Sequence, residues 1–196
     1  MKKVLLSAVA LLAFGFANAQ EEEKGNGGFA KGDVFVSGAL TLGSTKAGDD
    51  KTSGFEIEPK VGFFVTENIA VGGKLGYSST KAEDALGDTE DMSGMTVGAF
   101  GRYYFAPASQ FSLFAELGVD YSSMENKLAD YKINGFNVAF APGLSYFLND
   151  SFAIEASVAA LSFTSEKGDW TGAENETSFG LGGDWRNVSF GVIYKF

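Results

Sequence analysis

Eight charged residues, Glu56, Glu58, Lys60, Lys74, Arg102, Glu116, Asp120 and Glu155, interrupt segments in which every second position is apolar. Charges placed this way could relay ions or protons, could supply the carboxylate pair of a glycosidase, or could neutralise one another as a buried plug. Glu56 and Glu58 stand beside Lys60 at alternate positions of one segment, which makes them neighbours on one face and suits a network better than a carboxylate pair flanking a substrate. The chain has no His and no Cys. Ser-His-Asp, Cys-His and His-metal chemistry are therefore closed to it, as are disulfides. No catalytic residue, metal or cofactor is expected, and the eight charges read as a plug.

The segments that must position them are strands. Gly32–Ser44 alternates with Val34, Val36, Leu40 and Leu42 on one face. Phe55 to Val65, Ile69 to Tyr77, Met95 to Phe105, Phe111 to Tyr121, Phe136 to Leu148 and Phe152 to Ala160 repeat the pattern, and Val188 to Phe196 closes it. In each of the segments that hold them the eight charges fall on the face opposite the apolar one. Short turns centre on Glu67, Ala108 and Asp150, while the stretches 45–53, 81–92, 124–133 and 165–176 are longer and polar. Three turns and four loops are what eight antiparallel strands need when both chain ends lie at the turn side. Short turns at one end, longer loops at the other and aromatics near the strand ends are the marks of a transmembrane barrel. Pairing around Ala108 sets Arg102 opposite or diagonal to Glu116, and Lys60 and Lys74 face each other and need acids from across the lumen. Pro59 and Pro142 fall inside strands, where bulges are expected, and the phase of the apolar positions slips between Phe179 and Asn187.

The ends of the chain carry two further signals. Lys2 and Lys3, the apolar run Val4–Phe16 and Ala17-Asn18-Ala19 read as a signal peptide over 1–19, cleaved before Gln20. Residues 20–31, with Glu21, Glu22 and Glu23, read as a flexible acidic leader with nothing to bury. Residues 32–196 are the barrel domain. At the other end, Phe190, Val192, Tyr194 and the terminal Phe196 resemble the C-terminal signal of bacterial outer-membrane β-barrel proteins, which the barrel assembly machinery reads. In pattern and length the mature chain is similar to the small eight-stranded barrels typified by outer membrane protein X and the membrane domain of outer membrane protein A.

That resemblance implies an all-β, eight-stranded antiparallel up-and-down transmembrane β-barrel in the bacterial outer membrane, with lipid and lipopolysaccharide around it. It implies a structural, envelope-integrity or adhesion-like role, with an extracellular ligand met through 45–53, 81–92, 124–133 or 165–176. The alternative is a narrow pore for ions or small solutes. The outer-membrane barrel enzymes depend on a His that is absent here, so no enzyme is expected. The net charge of −10, about −12 once Lys2 and Lys3 are removed, argues against nucleic acid as a partner. A closed barrel of this size can stand as a monomer.

Overall fold

The computed structural model describes residues 27–182 and 188–196; the expected signal peptide and most of the phase slip lie outside them. Strands β1 (Val34–Ala47), β2 (Asp50–Phe64), β3 (Ile69–Asp84), β4 (Gly87–Tyr104), β5 (Phe111–Asn126) and β6 (Tyr131–Phe147) are long staves. The seventh stave is built in two pieces, β7 (Phe152–Ser157) and β8 (Leu161–Gly168), and so is the eighth, β9 (Asn175–Leu181) and β10 (Ser189–Lys195). Each neighbour is antiparallel, β5 pairs with β6, and β1 pairs with β10, so the sheet closes on itself as an eight-stranded barrel. In the half of the barrel farther from the turns, β1 beyond Ala39 pairs with β2 alone and β9 with β8 alone among the described residues.

Closure inverts the usual burial. Leu75 is 60% exposed on the outside while Arg102 is 2% exposed inside. That arrangement is stable when the outer solvent is hydrocarbon, because a closed ladder leaves the backbone no unpaired edge and only the side chains meet lipid. The outward face spans the right height: from Tyr146 to Phe136, both on β6, the strand runs about 33 Å along its own axis, or about 25 Å along the barrel axis at the usual tilt.

The two prolines behave differently. At Pro59 the register on either side is the same, since Ile57 faces Tyr77 and Lys60 faces Lys74, so the expected bulge is absent and only local pairing is lost. At Pro142 the bulge is real but sits in the neighbouring stave. Gly143 pairs with Ser157 and Phe140 with Leu161, so three residues of the seventh stave oppose two of β6. The extra residue explains why outward positions change from even (Ile154) to odd (Phe163) along that stave. The eighth stave follows, with Phe179 outward on β9 and Phe190 outward on β10.

Three features differ from the sequence reading. The stretches 45–53, 81–92 and 124–133 are mostly strand and 165–176 is half strand, and the chain reverses at 48–49, 85–86, 127–130 and 169–174. Polar side chains mark where the apolar zone ends, but backbone pairing continues past it. Both ends of the barrel thus have short reversals, and the asymmetry lies in hairpins that project beyond the outward aromatics at one end. Side chains hold these reversals: Asp84 Oδ1 accepts from the Leu86 and Gly87 amides, and Asn126 Oδ1 from those of Leu128 and Ala129.

The second difference is the leader, whose described part has much to bury. Phe29 is 2% exposed, stacked on Phe64 at 4.6 Å between ring centroids and edge-on to Phe147 at 4.8 Å. Its amide donates to the Pro107 carbonyl oxygen at 2.7 Å, the Gly27 amide to Asp150 Oδ1, and Lys195 Nζ to the Gly28 carbonyl oxygen. The leader therefore straps the turn end of the barrel. The third difference is an inward aromatic layer, Phe35, Phe64, Phe100, Tyr104, Phe114 and Phe147, that the outward periodicity hides. Gly62 and Gly143 make room for it, since a Cβ there would strike the rings of Phe35 and Phe114.

Candidate functional site

Strand alternation alone carries Lys60, Lys74, Arg102, Glu116, Asp120 and Glu155 to the lumen, because each sits one step from an outward apolar residue on its stave. The interior of an eight-stranded barrel is just wide enough for side chains to meet across it. Arg102 lies at the centre. Its Nε and Nη2 donate to Glu116 Oε2 at 2.9 and 2.6 Å, and its Nη1 donates to Glu155 Oε2 at 2.6 Å and to the Tyr104 hydroxyl oxygen at 2.8 Å. The guanidinium also lies 4.0 Å from the centroid of the Phe114 ring, a cation–π contact that ties the charged layer to the aromatic layer.

The lysines extend the chain of charges. Lys60 Nζ is 2.9 Å from Glu116 Oε1 and 3.2 Å from Glu58 Oε1. Lys74 Nζ is 2.9 Å from Asp120 Oδ1 and 3.5 Å from Glu58 Oε2. Glu58 bridges the two facing lysines from their own side of the lumen, and from β5 Glu116 reaches Lys60 three staves away and Asp120 reaches Lys74 two staves away. Arg102 and Glu116 are direct cross-strand partners. Asn137 Nδ2 donates to Asp120 Oδ2 at 3.4 Å and accepts at Oδ1 from the Thr164 hydroxyl at 3.0 Å, which carries the network to the far wall. Three cations and four carboxylates thus form one connected layer.

Glu56 stands apart. Among the described residues it forms no ion pair, and it lines a recess of about 320 Å³ with Thr41, Thr45, Thr52, Ser78 and Thr80 at the loop-side mouth. The acids of the projecting hairpins do not converge on one point. Asp91 pairs with Lys81 at 3.0 Å, Asp169 Oδ1 accepts from the Lys132 amide at 2.9 Å, and Glu166 lies opposite Glu176. Tyr104, Asn137, Thr164 and Phe29 escaped the sequence reading. Tyr104 and Asn137 occupy the inward phase and only their role was hidden, whereas Thr164 lies beyond the bulge and nothing in the sequence points Phe29 into the lumen.

At the closing strand, Phe190, Val192 and Tyr194 point outward, as their alternation requires, and the Phe196 amide donates to the Val34 carbonyl oxygen at 3.0 Å. The last residue therefore completes the ladder between first and last staves.

The charged layer and the aromatic layer lie in series along the lumen, and together they can block it; neither places an acid, a base and a nucleophile around an open space. The fold is shared with a solved outer-membrane barrel. The crystal structure of the outer membrane protein OprG from Pseudomonas aeruginosa matches with a TM-score of 0.53 at 16% identity, over 86% of this chain and 98% of that one. The N-terminal β-barrel domain of Pseudomonas aeruginosa OprF matches at 0.42 and 13% identity, over 86% of this chain and 100% of that one. Neisserial surface protein A matches at 0.45 and 15%, over 84% of this chain and 96% of that one. No curated protein sequence matches the chain. Residues 6–196 match the family model for the outer membrane protein beta-barrel domain, and with the closed barrel and its lipid-facing exterior the chain belongs to that family of bacterial outer-membrane proteins.

Proposed function

We propose that this protein is a non-enzymatic, monomeric structural barrel of the outer membrane, delivered by a cleaved signal peptide and assembled through its terminal aromatic strand. Its lumen is closed and its projecting hairpins are the surface that meets the outside. The observation that carries this reading is the engagement of Arg102 across the lumen: a buried guanidinium with four of its five N–H donors bonded to two carboxylates and a phenol, and its face against an aromatic ring, is held in place by the walls on either side and leaves little for a passing ion to bind. An ion path needs sites weak enough to leave as well as to enter. The test is planar-bilayer conductance of the refolded mature chain, with a heat-modifiable gel shift to establish folding. Silence supports the closed barrel; discrete, reproducible steps from the unmodified protein overturn it.

A second reading, a conduit for small solutes, draws on the mouth. The hydroxyl-lined recess lies on β1, β2 and β3, beside the stretch of β1 that pairs on one side only among the described residues. A solute could enter there and leave sideways without crossing the charged layer. Uptake of small solutes into proteoliposomes whose barrels conduct no ions would favour it, and no uptake above empty liposomes would remove it.

A further inference from the structure

Residues 27–31 run directly into β1, so whatever they grip is tied to the first stave. Their partners come from other staves. The Gly27 amide donates at 3.2 Å to Asp150 Oδ1, in the turn between β6 and β7, and the Phe29 amide donates to the Pro107 carbonyl oxygen, in the turn between β4 and β5. Lys195 of β10 donates from Nζ to the Gly28 carbonyl oxygen at 2.7 Å. The same ammonium lies 3.8 Å from Asp33 Oδ2 and 5.5 Å from the centroid of the Phe147 ring. The Phe29 ring packs among Phe35, Phe64, Tyr104 and Phe147, which come from β1, β2, β4 and β6. One short segment thus joins the first stave to the last and to two of the turns.

The place it joins is a thinly paired part of the wall. β1 and β2 face each other from Val34 to Ala47, but among the described residues β1 and β10 do so only from Phe35 to Ala39. A closed ladder opens first where it is shortest, because the fewest hydrogen bonds must break together there. The sequence commits the segment to its seat. Gly27 and Gly28 have φ of +59° and +117°, and a Cβ would strike Phe147 at Gly27 and the Ala108 backbone at Gly28. A free leader accepts many small polar residues, whereas a seat this close admits only glycine. Lys195 sets the order of events. It shares a strand with the outward Phe190 and Tyr194 but faces inward beside Phe35, so it meets Gly28 only once β10 lies against β1.

We propose that residues 27–31 are a closure latch: they reach their seat after the first and last staves have paired, and once seated they slow the reopening of the β1–β10 seam. The segment is tethered to β1, so its seat meets it at high local concentration and no partner chain is needed. Its action is kinetic. A contact made after closure leaves the rate of closing unchanged and lowers the rate of opening. The latch stands or falls independently of whether the lumen conducts and of which end of the barrel faces outward.

The test is amide hydrogen exchange of the refolded mature chain in detergent with sub-denaturing urea, read by mass spectrometry for the parent and for Gly28→Ala/Phe29→Ala. In the variant, exchange at 35–39 and 191–195 should accelerate by roughly ten-fold or more, the scale of losing one buried ring from the seat. Exchange at 99–102 and 115–118, in the ladder between β4 and β5, should keep the parent's rate. Refolding should proceed at the parent's rate and unfolding should be faster by a similar factor. Unchanged exchange at the seam, equal acceleration of both ladders, or refolding slowed as much as unfolding is hastened overturns the proposal. If the variant does not fold, pulse labelling of the parent during refolding decides. The Phe29 amide should gain protection after the amides at 35–39 and 191–195, and protection at the same time or earlier overturns the latch.

Discussion

At the scale of single residues the molecule depends most on Arg102. A buried charge is tolerated when every donor finds an acceptor, and it becomes costly when a partner is removed, because the remaining charges stay in a poorly polarisable interior. Arg102→Ala would leave Glu116 and Glu155 without their shared cation and should lower stability by about 3–5 kcal/mol, read as a shift of the urea midpoint in detergent. Arg102→Lys should fail to restore it, since a single ammonium cannot reach Glu116, Glu155 and Tyr104 with the planar fork that Arg102 uses. Tyr104→Phe, which removes one acceptor and keeps the ring, should cost about 1 kcal/mol. A variant at Arg102 as stable as the parent would mean that the layer fills space and its pairing contributes little.

Among the elements, the strap is the least legible in the sequence and the most exposed to test. Among the described residues, Phe29 and three polar contacts tie residues 27–31 to the turn end of the barrel, beside the local bonds between Ala30 and Asp33, so Phe29→Ala should release the strap and leave the barrel intact. Trypsin should then cut after the exposed Lys31 several-fold faster, with the heat-modifiable band unchanged; an unaltered rate would mean that the polar contacts suffice. The staves themselves were legible because a lipid-facing strand must be apolar at every second position, and one phase error would put a charge in hydrocarbon. The same rule sets Arg102 opposite or diagonal to Glu116, and the ladder makes them opposite. It was silent where no lipid enforces it. Beyond Tyr77 and Phe136 polar residues occupy both faces, so the strand continuations there read as loops, and Phe29 belongs to no strand at all. At Pro142 the missing amide signalled an irregularity, but which of the two paired staves takes up the extra residue is decided by the partner strand and lies outside what Pro142 itself encodes.

For the molecule as a whole, the arrangement of two layers in series makes a prediction that neither layer makes alone. Current along the lumen must pass the aromatic layer, completed by Phe29, and the charged layer, centred on Arg102 and Glu116. Resistances in series are governed by the tighter, so opening one leaves the other in control. Phe29→Ala should be electrically silent, and Arg102→Ala/Glu116→Ala nearly so, while the triple variant, with both constrictions widened, should pass small discrete currents in a planar bilayer. Widening removes side chains that no neighbour can replace, because Phe64, Tyr104 and Phe147 are already packed against one another or against the walls. Current from Phe29→Ala alone would show that the charged layer does not seal, and the proposed closed barrel would have to yield to a gated one. Silence from a correctly folded triple variant would place the seal in the remaining inward rings, such as Phe35 and Phe114 seated over Gly62 and Gly143, and would turn attention to the mouth and the projecting hairpins as the surfaces through which this barrel acts.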